Sequence, residues 1–209
     1  MSLARGPGRQ QHPGQERPLD LVLASTSPYR RALLERLGVP FRAVAPRFDE
    51  SSVSPAGKSP LELAEALALG KARSIAAIEP GATVLGSDQL VAIDGRIFGK
   101  PGSVDRAIEQ LQALAGRTHE LYTALVVIQA SRSLRHTDLT RLRMRPLTSQ
   151  EIARYVAHDL PLDCAGGYKL EERGIVLFDS IETDDHTAIM GLPLLRLTSI
   201  LRGLGFAIP

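Results

Sequence analysis

Short apolar runs alternate with stripes of apolar residues at helical spacing along most of the chain. The run from Leu21 to Ala24, followed by a hydroxyl-rich turn and by leucines at helical spacing, predicts a buried strand and then a helix. Ser27 is a suitable N-cap for this helix, and Gly38 can take the left-handed conformation that ends it. The hydroxyls and free N–H groups at the helix N-terminus could bind an anion, or they could simply cap the helix.

The same pattern continues through the rest of the chain. Further helices are expected to begin at Ser59, Ser103 and Thr148, and Asp94-Gly95 between two apolar segments predicts a hairpin. Together, strand–helix alternation and hairpins predict an α/β fold with a mixed sheet. The other expected strands are Phe41–Pro46, Gly81–Leu85, Leu90–Ile93, Arg96–Phe98, Leu121–Ile128, Leu134–Pro146 and Ile175–Phe178, and a closing helix follows Gly191-Leu192-Pro193.

Composition restricts the class of protein. The chain has 209 residues, of which 44% are hydrophobic and 23% charged, and no apolar run is long enough to cross a membrane. Its formal charge of +2 matches the excess of arginine before residue 19, so the remainder is neutral, which argues against a nucleic-acid partner. We therefore expect a cytoplasmic protein without a membrane or nucleic-acid partner.

The composition of the first segment and the single cysteine allow two further predictions. Residues 1–18 are rich in Gly, Pro, Gln and Arg, which predicts a disordered extension before one domain over residues 19–209. The lone Cys164 excludes an internal disulfide and is expected to be a small buried apolar residue.

Five ionisable residues lie beside predicted turns, glycines or strand ends. The cations are Arg30, Lys71 and Lys100, and the carboxylates are Glu50 and Asp88, which we expect at the ends of strands. Cations bind phosphate oxygens and carboxylates bind Mg²⁺ or Mn²⁺, so the set suits a polyphosphate with a divalent metal. Each residue taken alone fits a surface ion pair better, and only their joint placement favours the phosphate site.

Six short motifs occur in a fixed order between about Leu21 and the end of the chain. They closely resemble the motifs of the Maf family of nucleotide pyrophosphatases. The motifs are Ser25–Leu34, Phe48–Glu50, Gly86–Gln89, Gly99–Pro101, Ala165–Glu171 and Gly191–Leu194.

This resemblance implies an elongated mixed β-sheet with flanking helices and two lobes around a central cleft, of the Maf/ITPase type. It also implies a metal-dependent hydrolase that converts a nucleoside triphosphate to the monophosphate and pyrophosphate, and it suggests a homodimer. By matching position, Asp88 accepts a proton, and Glu50 and Asp88 bind the divalent cation, Mg²⁺ or Mn²⁺. The phosphate-binding set is Ser25, Ser27, Arg30, Lys71 and Lys100.

Three positions resemble the 7-methyl-GTP branch of the family. They are Tyr29, Gln89 and Glu171, where the dTTP/UTP branch typically has Arg, Thr and Gln. The 7-methyl branch often carries Trp where Tyr29 stands. N7-methylation makes guanine cationic, so the Tyr29 ring could stack on it and Glu171 could accept its N–H groups while opposing its charge.

Two alternatives remain open on the sequence. The first is a dTTP/UTP pyrophosphatase of the same family. The second is a non-catalytic regulator of septum formation that senses a nucleotide in the same cleft or uses an exposed face of Arg141, Arg143 and Arg145 as a contact.

Overall fold

The computed structural model describes residues 19–208, so the expected disorder of residues 1–18 lies outside the described residues. Its centre is one mixed sheet of seven strands in the order β2-β1-β3-β5-β6-β7, with β4 paired to β3. The strands are β1 Leu21–Ala24, β2 Arg42–Val44, β3 Thr83–Ile93, β4 Arg96–Phe98, β5 Thr118–Gln129, β6 Arg132–Met144 and β7 Phe178–Glu182.

The helices begin where the capping residues predict. Ser27 accepts the Arg30 N–H, Ser103 caps another helix, and Ser59 and Thr148 each form a full capping box. Within residues 19–208, no helix is long and apolar enough to cross a membrane. The helices are α1 Pro28–Glu35, α2 Pro60–Ala76, α3 Val104–Leu114, α4 Ser149–Asp159, α5 His186–Ile189 and α6 Leu194–Gly203.

Three apolar cores divide the fold into two lobes. In the first lobe, α2 packs on one face of the sheet while α1 and α6 pack on the opposite face. In the second lobe, α3 and α4 cover the far ends of β3, β5 and β6. The long strands β5 and β6, paired from Thr118↔Arg143 to Gln129↔Arg132, run through both lobes. The elongated two-lobed α/β fold expected from the motifs is therefore confirmed.

A gap in strand pairing lies between the lobes. On one edge, β3 pairs with β1 only as far as Leu85 and with β4 only from Val91 onwards, whereas β5 pairs along the whole opposite edge. The segment Gly86–Leu90 therefore has no neighbouring strand on the first edge. This gap forms the floor of the cleft between the lobes.

Three predicted strands are wrong in their extent or their type. The runs Gly81–Leu85 and Leu90–Ile93 belong to one continuous strand, β3, because the polar residues between them remain paired with β5. Asp88 thus lies in the middle of a strand, and it reaches the cleft because the neighbouring strand ends. The predicted buried strand Ile175–Phe178 is a 3₁₀ turn over Arg173–Leu177, in which Ile175 is 52% exposed.

Candidate active site

The cleft between the lobes has a volume of about 530 Å³ and receives residues from both. The start of α1, the middle of α2 and the gap segment of β3 contribute charged side chains at one end. The turn before Tyr168 and the loop around Glu171 line the other end. Of the ten residues predicted for the site, nine line this cleft.

Ser25 is the predicted site residue that does not line the cleft. Its side chain is 6% exposed, and its hydroxyl accepts the Ser27 N–H at 3.1 Å. The hydroxyl of Ser27, in the cleft wall, accepts the Arg30 N–H at 3.4 Å. Ser25 therefore shapes the turn before α1, and a direct phosphate contact from its hydroxyl stays a prediction.

Arg30 is fixed by the backbone of Gly191. Its Nε donates to the Gly191 carbonyl oxygen at 3.0 Å, and the Ser87 hydroxyl donates to the same oxygen at 2.9 Å. Gly191 has φ +108°, and a Cβ there would lie 3.4 Å from Arg30 Nε, so this position requires glycine. Burial lowers the pKa of Arg30, while Asp88 and Glu50 oppose that effect. The guanidinium remains charged, since its ordinary pKa is far above neutrality.

Lys71 joins the two predicted metal ligands. Its Nζ lies 2.5 Å from Asp88 Oδ1 and 3.0 Å from Glu50 Oε1. The Lys71 and Asp88 side chains are nearly buried, at 10% and 9% exposed, whereas that of Glu50 is 58% exposed. The structure therefore brings a cation and both carboxylates together in one ion-pair network, as predicted from separate positions in the sequence.

The two carboxylates also fit a divalent cation. Their oxygens converge on one positively charged atom, and hard carboxylate oxygens are the ligands that Mg²⁺ and Mn²⁺ prefer. No group of three or more His, Cys, Asp or Glu in the described part of the chain could hold a metal by itself. Two protein carboxylates suit Mg²⁺, which commonly completes its coordination with waters and substrate phosphates.

Lys100 adds a further positive charge to the lining of the cleft. It follows β4, is exposed, and lines the cleft together with Gly99. A flexible lysine at the rim can reach an anion after it enters.

Gln89 holds the C-terminal end of α5. Its Nε2 lies 2.9 Å from the carbonyl oxygens of Ala188 and Ile189 and 3.0 Å from the Thr123 hydroxyl. Since the amide nitrogen carries only two hydrogens, these acceptors share its donor capacity. The specificity role predicted for Gln89 stays a prediction, and the structure adds a second use of its side chain, which is to fix the wall formed by Ile189 and Met190.

The far end of the cleft combines an aromatic ring with acidic groups. Tyr29, Asp163, Cys164 and Glu171 all line it. Burial raises the pKa of Tyr29, and the neighbouring Cys164, Asp163 and Glu171 raise it further. Removal from water also raises the pKa of Glu171; its own backbone N–H and Lys169 oppose this shift, while Glu172 and Asp163 add to it. This end therefore favours a ligand that carries positive charge or N–H donors.

Two features of this end were not anticipated. Cys164 is half-buried in the cleft wall rather than a core residue, and burial raises the pKa of its thiol to about 12. Asp163 lies in the cleft although no motif reasoning selected it. A signal was present, because Asp163 directly precedes the motif that contains the glycine turn, and residues beside such turns often face a ligand.

Comparison with known proteins identifies the family of this chain. The family model described as Maf-like protein matches residues 20–204. A relative from Bdellovibrio bacteriovorus, named 7-methyl-GTP pyrophosphatase, is 49% identical over 87% of this chain and 95% of its own length. Relatives with the same name from Xanthomonas axonopodis pv. citri and Aromatoleum aromaticum are 48% and 47% identical, each over 90% of this chain and 98% and 97% of their own lengths.

A solved structure shows the same fold at low sequence identity. The Ham1 protein of Staphylococcus aureus is similar to this chain with a TM-score of 0.51 and 17% identity, over 88% of this chain and 99% of that protein. At this identity the likeness concerns the fold alone. The family model and the relatives together establish that the chain belongs to the Maf family.

Proposed function

We propose that this protein is a nucleoside triphosphate pyrophosphatase that hydrolyses 7-methyl-GTP to the monophosphate and pyrophosphate. The observation that carries the proposal is the polarity of the cleft, with Arg30, Lys71 and Asp88 at one end and Tyr29 and Glu171 at the other. A nucleotide has the matching polarity, with an anionic triphosphate at one end and a cationic methylated base at the other. The names of the relatives support the same substrate.

The cationic end supplies the triphosphate site. The Arg30 guanidinium is oriented by Gly191 through Nε, which leaves its terminal nitrogens to donate to phosphate oxygens. The N-terminus of α1 beside Ser27 adds backbone N–H groups and the positive end of a helix dipole. Lys100 and Lys71 place two further positive charges around the leaving pyrophosphate, where charge develops in the transition state.

Asp88 is the group best placed to accept a proton from water. Its carboxylate is nearly buried and is ion-paired with Lys71 at 2.5 Å. A divalent cation held by Glu50 and Asp88 would make the attacking water more acidic and neutralise phosphate charge. The water oxygen bonds to the α-phosphorus, its proton passes to Asp88, and the bond to the bridging oxygen breaks, so pyrophosphate leaves with the electron pair.

The far end supplies base selection. The Tyr29 ring can stack on a cationic purine, an interaction that contributes on the order of 1–2 kcal/mol when it is shielded from water. Glu171 can accept from the N1–H and the exocyclic amine of guanine. Thymine and uracil offer a single ring N–H between two carbonyl groups. A carboxylate at this position should therefore bind these bases weakly.

Pyrophosphate release from a panel of nucleotides tests the proposal. The panel contains 7-methyl-GTP, GTP, dTTP and UTP, each with Mg²⁺ or Mn²⁺, and we expect the highest kcat/KM for 7-methyl-GTP. Preference for dTTP or UTP would instead place the protein in the pyrimidine branch. Nucleotide binding without release of pyrophosphate from any member would support a regulatory role in septum formation.

The homodimer implied by the family resemblance and the cytoplasmic location remain predictions. Light scattering coupled to size-exclusion chromatography of the full chain tests the first, and cell fractionation tests the second.

A further inference from the structure

Glu171, at the far end of the cleft, belongs to a loop that main-chain hydrogen bonds close on itself. The Lys169 carbonyl oxygen accepts the Gly174 N–H at 2.8 Å and the Glu172 N–H at 3.3 Å, so the chain from Lys169 to Gly174 turns back on itself with Glu171 in the turn. A Cβ on Gly174 would lie 2.3 Å from that oxygen, and the closure therefore requires glycine. We call residues 169–174 the Glu171 loop.

Helix α4 holds both ends of the Glu171 loop. The Tyr155 hydroxyl accepts the Lys169 N–H at 2.9 Å, and Asp159 Oδ2 accepts the Arg173 N–H at 3.1 Å. Tyr155 and Asp159 are four residues apart, so they lie on one face of the helix. They are 7% and 6% exposed, and neither lines the cleft.

The anchoring helix is itself firmly seated. It begins with the capping box of Thr148 and Glu151, and its apolar face packs into the core of the second lobe through Ile152 and Val156. The two anchors thus connect a rigid element to a turn whose residues 171–173 are exposed.

We propose that Tyr155 and Asp159 are positioning residues that set the base preference by fixing Glu171 opposite Tyr29. This inference rests on the proposed function. Without its anchor, the main-chain N–H of Lys169 or Arg173 loses its hydrogen-bond partner. A loop released at one end then samples many conformations in which the Glu171 carboxylate does not contact the base. In the turn that follows Cys164, Gly167 lies close to the backbone of Ala107 in α3, since a Cβ there would be 3.3 Å from the Ala107 carbonyl oxygen.

The first test compares kcat/KM for 7-methyl-GTP with that for GTP in Tyr155→Phe. The substitution keeps the buried ring and removes only the hydroxyl. We expect the ratio to fall about tenfold because the Glu171 carboxylate no longer meets the cationic base, with the change in KM for 7-methyl-GTP and little change in kcat. The matched control is Tyr122→Phe, whose hydroxyl donates to Glu120 outside the cleft and whose loss should leave the ratio unchanged.

A double-mutant cycle separates positioning from general damage to the fold. In a Glu171→Gln background, Tyr155→Phe should not lower the ratio further, because the group that it positions has lost its charge. An equal loss in both backgrounds, or no loss in either, would overturn the inference.

Asp159 provides an independent second pair of variants. Asp159→Asn keeps an oxygen that can accept the Arg173 N–H and should retain the wild-type ratio, whereas Asp159→Ala should lower it as Tyr155→Phe does. Equal ratios for the two variants would contradict the assignment. If wild-type protein itself showed no preference for 7-methyl-GTP over GTP, the proposed function would fail before any variant was compared.

Discussion

Lys71 and Asp88 form an ion pair at 2.5 Å in which both side chains are at least 90% withdrawn from solvent. A buried charge needs its partner, since removing one member leaves the other without compensation. Asp88 also shares Lys71 with the more exposed Glu50. The proton acceptor proposed for hydrolysis is thus ion-paired with the same lysine that is proposed to face the triphosphate.

Asp88→Asn should abolish turnover while largely preserving nucleotide binding. The amide keeps the shape of the carboxylate and can still accept from Lys71, but it cannot take a proton from water. We expect kcat to fall about 1,000-fold, as measured by pyrophosphate release, with nucleotide affinity from calorimetry within a few-fold of wild type. Retention of a tenth of wild-type turnover would remove Asp88 as the base.

Two substitutions of Tyr29 should separate the contribution of its ring to nucleotide affinity from that of its hydroxyl. Tyr29→Leu removes the aromatic face, and we expect the affinity for 7-methyl-GTP to fall by roughly tenfold while that for GTP changes less. Tyr29→Phe keeps the face and should remain close to wild type in competition binding. Equal losses for Leu and Phe would show that the hydroxyl, beside Cys164 and Asp163, is the group that matters.

Gly86→Ala should destabilise the fold and displace Lys71. A Cβ at Gly86 would lie 2.5 Å from the Ala68 carbonyl oxygen and 2.8 Å from the Ala72 N, both backbone atoms of α2. Pushing this helix from the sheet should cost about 2 kcal/mol and lower Tm by roughly 4–8 °C, with activity falling as well. Gly81→Ala is the control, since no heavy atom lies within 4 Å of a Cβ there.

His119 should make stability depend on pH. It is 1% exposed, and burial lowers its pKa to about 4. Because the unfolded chain binds a proton near pH 6.5 and the folded chain does not, stability is constant above that value and falls as the pH decreases towards 4. The loss is about 2 kcal/mol between pH 6.5 and 5. Calorimetry across this range should show a shallower decline of Tm in His119→Gln, and identical slopes would contradict the assignment.

The local elements were predictable because their signals are local. Ser27, Ser59 and Thr148 cap helices through their own side chains, and the hairpin needs only the positive φ of Asp94 and Gly95, which are 48° and 76°. The continuity of β3 was not predictable in the same way. Its polar centre resembles a turn in the sequence, and only pairing with the distant strand β5 keeps it extended.

The candidate site shows the same contrast between local signals in the sequence and contacts made only in the fold. Motifs identified Arg30 and Asp88, and an adjacent glycine drew attention to Lys71, but the sharing of one ammonium by two carboxylates depends on how α2 lies over the sheet. Likewise, Tyr155 carries no signal of its own, because its role arises from a contact between separate segments. Sequence indicates which groups are present, whereas packing decides which of them meet.

The unbroken course of β3 beneath the cleft has a mechanical consequence. Because the same strand, with β5 paired along its whole length, enters the cores of both lobes, neither lobe can unfold without exposing apolar residues of the other. The two lobes should therefore melt as one cooperative unit, and scanning calorimetry should record a single transition whose van't Hoff and calorimetric enthalpies agree. Any adjustment of the cleft to a substrate then falls to the loops at its rim, while the floor stays rigid.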